Sequence, residues 1–241
     1  DPRDLEKLYG MKYPVYQHPK KEIINLPLLF APLKHNEDIE LEKGSNIKPL
    51  PKLDALTDKF NAPVILKVGD DISTDEILSG GTKVLPLRSN IPEISKWAYH
   101  QLDDNFYKKA LNAKEKSGGH IVVAGKNYAQ GSSREHAALA PKYLGQVAVI
   151  AIGYARIGWQ NLINYGILPF EFKTANDYNK VEEGDILHLE NINEEALTSN
   201  KIIVLNQTKK TEIQVNHKLS KRQIQVVLAG GMINYFKRKN K

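Results

Sequence analysis

Between residues 121 and 152 the chain passes through an apolar run, a polar loop, a stretch of helical composition and a second apolar run, and this order leaves few topologies open. Ile121-Val122-Val123-Ala124 and Val147-Ala148-Val149-Ile150-Ala151-Ile152 are apolar without alternation, the texture of strands buried on both faces. Residues 125–131 are the loop, and 133–144 have helical composition. Such a strand, loop, helix and strand predict a parallel βαβ unit with a right-handed crossover. Upstream, Pro63-Val64-Ile65-Leu66-Lys67-Val68 predicts a strand that turns at Gly69-Asp70-Asp71, followed by a helix over about 91–113. Downstream, a helix at about 155–165 should stop near Gly166, ahead of an extended run over 167–172. Residues 185–189, 201–205 and 212–215 predict a β meander. Ile224, Val227, Leu228, Met232 and Phe236 predict an amphipathic helix over about 220–237. The expected fold class is α/β in three layers, a mixed sheet with a parallel βαβ core and a smaller β meander.

Residues 1–60 differ in kind. Prolines at 2, 14, 19, 27, 32, 49 and 51 interrupt helices and push the residues before them toward extended backbone. This stretch is expected to be the extended tail of a preceding domain plus a linker at 47–51, with the folded domain over 61–241. No apolar run approaches the roughly 18 residues of a membrane span. Asp1-Pro2-Arg3-Asp4 lacks the pattern of a signal peptide, so a cytoplasmic setting is expected. The net charge of +6 suits an anionic small molecule, an acidic partner or nucleic acid, and does not choose among them. The chain has no cysteine, which excludes a disulfide framework, thiolate catalysis and an iron–sulfur cluster held by this chain alone.

The chemistry concentrates where the first buried strand hands over to its helix, at Asn127-Tyr128-Ala129-Gln130-Gly131-Ser132-Ser133-Arg134-Glu135-His136. In open α/β sheets, ligands bind beyond the carboxyl ends of the strands. Ser132 and Glu135 have capping-box spacing, with Ser132 as N-cap and Glu135 at N3. Gly131 lets backbone approach a ligand, helix N–H groups attract an anion, and Arg134 adds a fork of donors suited to a carboxylate. These residues describe an anion site with a serine hydroxyl inside it.

The same residues carry a resemblance. Gly131-Ser132-Ser133-Arg134-Glu135-His136-Ala137-Ala138-Leu139 resembles the signature of the C-terminal swivel domain of the aconitase superfamily. Tyr154-Ala155-Arg156-Ile157, Asn161-Leu162 and Tyr165-Gly166-Ile167-Leu168-Pro169 follow as in that family. Ser73-Thr74-Asp75-Glu76-Ile77 resembles its STDHI element, with Glu76 where aconitases often have histidine. Ala137-Ala138-Leu139 looks more like aconitase than like the isopropylmalate dehydratase small subunit, where proline tends to follow the histidine.

The resemblance implies a hydro-lyase that isomerises citrate and isocitrate through cis-aconitate. Ser132 matches the base, acting as an alkoxide; Ser133 and Arg134 match positions that bind substrate carboxylate. Arg88, alone among arginines between Asp75 and Arg134, matches a second carboxylate-binding arginine, and Asp75 is a candidate for orienting an arginine or hydroxyl. The implied cofactor is a [4Fe-4S] cluster ligated outside this chain, which itself should hold no metal. The implied partners are cluster-bearing aconitase domains, in the same longer chain or in a separate large subunit, and a tricarboxylate substrate; the chain alone is expected to be inactive. The alternative is the small subunit or C-terminal part of an isopropylmalate, homoaconitate or methylcitrate type of dehydratase. An RNA-binding, iron-regulatory relative is disfavoured because the positive charge is dispersed, without an arginine- and aromatic-rich platform. No membrane partner is expected. His100, His120, His136 and His188 show no metal-ligand spacing, and His136 is expected to be packed or hydrogen-bonded.

Overall fold

The computed structural model describes residues 1–21, 26–31 and 42–240. The chain divides into two units, Asp1–Glu42 and Lys43–Lys241. In the first, the regular elements among the described residues are single turns at Pro2–Asp4 and Leu26–Leu28 and the helix Leu5–Tyr9. That helix buries none of its residues and ends on Gly10 at φ 64. In the second unit, residues 46–48 lie on a later turn: Lys48 N donates to Ser89 O at 2.9 Å and Asn46 Nδ2 to Pro86 O at 2.5 Å.

Seven strands build the second unit: β1 Phe60–Lys67, β2 His120–Ala124, β3 Gln146–Ala151, β4 Leu168–Phe172, β5 Ile186–Leu189, β6 Ile202–Asn206 and β7 Thr211–Asn216. β1 to β4 pair in parallel, with Ile121 opposite Ala148 and Ile150 opposite Phe170. β4, β7, β6 and β5 continue antiparallel, and β5 returns to β1 with Phe60 opposite Leu189. The sheet therefore closes into a barrel in the order β1-β2-β3-β4-β7-β6-β5. Among the described residues, closure leaves no edge strand. The mixed sheet, the βαβ core and the antiparallel strands agree with the sequence reading; in place of stacked layers, one sheet closes on itself.

Alternation along the strands sorts the core in two. Ile121, Val123, Ala148 and Ile150 join residues of all seven strands, among them Phe170, Leu187, Val204 and Ile213, in one cluster. Val122, Ala124, Val149 and Ala151 face the other way, onto Phe106, Ala110, Leu139 and Leu144. Those last four come from the helix Phe106–Ser117 and from the helix His136–Tyr143 with its C-cap. Beyond their first residues, His120 and Gln146, β2 and β3 are apolar because both of their faces are covered.

Two expected helices are interrupted. The helix placed at 91–113 is two, Ile91–Ser95 and Phe106–Ser117, and between them Tyr99 takes φ 53 and donates its N–H to Ile77 O at 2.7 Å. The terminal helix is Lys221–Leu228 and Met232–Lys239, broken where Gly230 and Gly231 adopt φ 84 and 118. No helix among the described residues is long and apolar enough to cross a membrane.

Candidate active site

The loop that leaves β2 is laid alongside the chain that leaves β1. Gly125 N donates to Gly69 O at 3.0 Å, Asp71 N to Lys126 O at 2.8 Å, Gln130 N to Ile72 O at 3.1 Å and Thr74 N to Gln130 O at 2.9 Å. Side chains finish the seam: Asn127 Nδ2 donates to Asp71 Oδ1 and Gln130 Nε2 to Asp71 O, both at 2.9 Å. This seam sets Ser73–Ile77 beside Ser132–Arg134, two segments distant in sequence. Asp71, Asn127 and Ala129 hold φ of 58, 55 and 62 within it. Left-handed backbone at a non-glycine residue costs about 1–3 kcal/mol and persists where surrounding contacts over-determine it.

The capping box lies elsewhere than expected. The helix after the loop begins at His136, and Glu135, its N-cap, has helical backbone and no capping side-chain bond. Ser132 therefore does not cap it, and the helix starts three residues later than the sequence reading placed it. The same Ser-x-x-Glu spacing recurs at Ser73 and Glu76, and there the box forms. Ser73 Oγ accepts from Glu76 N at 3.2 Å, and Glu76 Oε2 accepts from Ser73 N at 2.7 Å. Glu76 thus anchors the short helix Thr74–Ile77, a role the spacing alone announces and the sequence reading passed over.

Freed from capping, Ser132 and Ser133 are exposed, and their hydroxyls have no hydrogen-bond partner among the described residues. The backbone N–H groups from Gly131 to His136 are likewise without protein partners among the described residues. Gly131, at φ 100, turns the chain so that these donors follow one another into a helix. Successive unpaired N–H groups at a helix start form an anion-binding surface.

Arg134 is already half engaged. Its Nη1 donates to Leu78 O at 2.6 Å, to Asp75 Oδ1 at 2.9 Å and to Thr74 O at 3.3 Å, while its side chain is 18% exposed. Nε and Nη2 have no partner among the described residues, so one edge of the fork is left for a ligand. Asp75 Oδ1 also accepts from Gly80 N at 2.9 Å. That bond first, and Arg134 second, hold the Asp75 carboxyl below its ordinary range. Gly80 is small for a reason: a Cβ there would stand 2.6 Å from Arg134 Nη2.

The structure thus brings Asp75 and Arg134 together and sets Ser132 and Ser133 beside them in the chain. Arg88 is joined through its backbone: His136 Nε2 bonds Arg88 O at 2.8 Å, which places the 85–90 loop against the helix start. Its guanidinium is exposed and without a protein partner among the described residues. His136 is hydrogen-bonded, as expected of it. Glu135 accepts from Tyr165 OH at 3.2 Å, and burial first, then Glu135, pushes the Tyr165 hydroxyl up to about 12.

Fold and loop together define a class: a mixed α/β domain that offers a serine- and arginine-bearing anion surface beyond the carboxyl ends of its parallel strands. The Aconitase C-terminal domain family matches residues 80–175. The 3-isopropylmalate dehydratase small subunit 2 of Archaeoglobus fulgidus is 39% identical over 172 residues, 71% of this chain and 92% of that subunit. A probable mitochondrial aconitate hydratase of Dictyostelium discoideum is 36% identical over 53% of this chain, which spans 17% of that protein. Among solved structures, the crystal structure of 3-isopropylmalate dehydratase from Methanocaldococcus jannaschii matches with a TM-score of 0.58 at 32% identity, over 76% of this chain and 95% of that one.

The chain belongs to the aconitase superfamily. Its relatives are hydro-lyases of the aconitase and isopropylmalate dehydratase types, and near-complete coverage of a small subunit gives the alternative organisation more weight than the aconitase domain first expected. The superfamily's [4Fe-4S] cluster needs thiolate ligands, and this chain has no cysteine, so its donor set does not fit the cluster.

Proposed function

We propose that this chain is the serine- and arginine-bearing component of an aconitase-type hydro-lyase, working in the manner of a dehydratase small subunit against a separate cluster-bearing subunit. The observation that carries the reading is the Asp75–Arg134 pair, 2.9 Å apart, beside two serine hydroxyls and a row of N–H groups that have no partner among the described residues.

The chemistry follows from those groups. Dehydration of a 2-hydroxy acid breaks a C–H bond next to a carboxylate, and the proton must go to a base. Ser132 Oγ, as alkoxide, takes it; the helix start and the Arg134 guanidinium favour the anionic oxygen. Negative charge then grows on the substrate carboxylate, and fixed donors meeting it there are worth about 10²–10³ in turnover each. Ser133 and the free Nε and Nη2 edge of Arg134 hold that carboxylate, while Asp75 keeps Nη1 occupied and the guanidinium plane fixed. The electron pair left on carbon forms the C=C bond as the hydroxyl leaves the neighbouring carbon, where the partner's cluster would supply the Lewis acid that accepts it. On rehydration water adds back at that carbon and Ser132 returns the proton.

Arg88 bears on the substrate. An unpartnered guanidinium on the 85–90 loop suits a further carboxylate better than an isopropyl group, so the substrate class is a tricarboxylate. A second reading, the swivel domain of a longer aconitate hydratase, draws on the aconitase-like Ala137-Ala138-Leu139. The test is purification of the chain with its cluster-bearing partner, followed by turnover on citrate, homocitrate and isopropylmalate. Dehydration of a tricarboxylate with Arg88→Leu raising its KM supports the reading; turnover confined to isopropylmalate overturns the role of Arg88.

A further inference from the structure

Behind the exposed loop lies a polar group that the proposed chemistry does not use. Tyr128 and Tyr99 are both fully buried, and their hydroxyl oxygens are 2.5 Å apart. Tyr99 OH donates to Gln146 Oε1 at 3.2 Å, which leaves Tyr128 OH to donate to Tyr99. A buried hydroxyl is retained where it is satisfied by a specific partner, since phenylalanine would fill the same volume without the polar group.

Each tyrosine is tied to a different half of the site. Tyr128 donates its N–H to Gly153 O at 3.0 Å and accepts from Ala155 N at 2.9 Å, and its ring meets that of Tyr154 edge-on at 6.0 Å. Its neighbours Asn127 and Ala129 are the left-handed residues of the loop, and Ser132 follows four positions on. Tyr99, itself at φ 53, donates its N–H to Ile77 O at 2.7 Å. Ile77 ends the helix that carries Asp75, and Leu78 O, next in the chain, holds Arg134.

We infer that the Tyr128–Tyr99 hydroxyl pair is the positioning device of this site, locking the serine loop to the helix that clamps Arg134. Tyr128 and Tyr99 are positioning residues, acting on Ser132 and Arg134 through the backbone. The inference rests on the function proposed above, and its test separates the two.

The variants are Tyr128→Phe, Tyr99→Phe and the double, in the complete enzyme and in the full chain. In the complete enzyme each single change should lower kcat by about 10–100-fold with KM within about threefold, the pattern of a displaced reacting group. The double should lose no more than Tyr99→Phe alone, because both singles break the Tyr128–Tyr99 bond and Tyr99→Phe also removes the bond to Gln146. In the full chain, amide exchange at Gln130 and Thr74 should quicken at least about tenfold while Val122 and Val149 are unchanged. Turnover within twofold of the parent, in an enzyme that Ser132→Ala inactivates, would overturn the inference. So would unchanged protection at Gln130 and Thr74, or a rise shared equally by Val122 and Val149. If Ser132→Ala leaves turnover intact, the functional reading fails, and the exchange measurement alone decides the anchor.

Discussion

Gly158→Ala sets helix propensity against the close approach that holds the site loop. Gly158 lies in the helix Arg156–Asn164, where alanine is favoured over glycine by about 1 kcal/mol. A methyl group there would run into Ala129 Cβ and stand 2.7 Å from Ala129 O and 3.3 Å from its carbonyl carbon. None of these atoms can rotate aside. Helix and loop must separate, and overpacking of this kind costs about 1–3 kcal/mol, here toward the upper end because backbone is the obstacle. The net expectation is a loss of about 1–2 kcal/mol, read by thermal unfolding of the chain as a Tm lower by roughly 2–8 °C. Since Ala129 lies three residues before Ser132, a loop displaced by a fraction of an ångström to about 1 Å should lower turnover of the complete enzyme by up to about 10²-fold. A Tm equal to or above the parent's would show that propensity wins and that Gly158 places no constraint on the loop.

Three further outcomes follow from named contacts. The Asp75 carboxyl is depressed by the Gly80 N–H and then by Arg134, so its stabilisation is present above the ordinary carboxylate range and lost as pH falls through the depressed value. Asp75→Asn should remove that acid-side slope, about 0.5–1 kcal/mol for a pair this exposed, in urea unfolding between pH 3 and 7. Burial lowers the Lys142 ammonium to about 8 even as it donates to Gly166 O at 2.9 Å. Stability should then rise with pH above about 8, where the unfolded chain still holds a proton the folded chain has released; Lys142→Met should flatten that rise, and nitrogen NMR should find the Lys142 midpoint near 8. Glu76→Ala removes a capping box and should cost about 1 kcal/mol, whereas Glu135→Ala, at the same spacing, should cost less than about 0.5 kcal/mol. Thermal unfolding that ranks them in the opposite order contradicts the placement of the cap.

What the residues announce and what they conceal divides along physical lines. β2 and β3 were legible because burial on both faces demands apolar runs, β4 as the extended run that follows Gly166, and Gly166 announced the end of its helix at φ 70. The closure of β5 onto β1 was not, since pairing between Phe60 and Leu189 rests on backbone bonds that leave no local mark. Gly230 and Gly231 stand in an amphipathic pattern that runs on past them, so periodicity overrode the break their left-handed backbone imposes. At the site, Ser132, Ser133 and Arg134 were marked by type and order. The two Ser-x-x-Glu sequences look alike, and what separates them is the seam that pins Ser73 to Gln130 while leaving Ser132 free. The pairing of Arg134 with Asp75 needed three-dimensional knowledge of that same seam. Nothing in the sequence links Tyr99 to Tyr128 of the site loop, and only their hydroxyl contact reveals the connection.

As proposed, this chain supplies the proton-abstracting oxygen of a hydro-lyase whose cluster belongs to its partner. Ser132→Ala in the complete enzyme tests it most directly, with the cluster monitored by its visible absorbance and substrate affinity measured alongside. Removing one reacting group of such a site lowers turnover by about 10³-fold or more, with affinity little changed, because Ser133, Arg134 and Arg88 still hold the carboxylates. Near-normal turnover with an intact cluster would rule out Ser132 as the base.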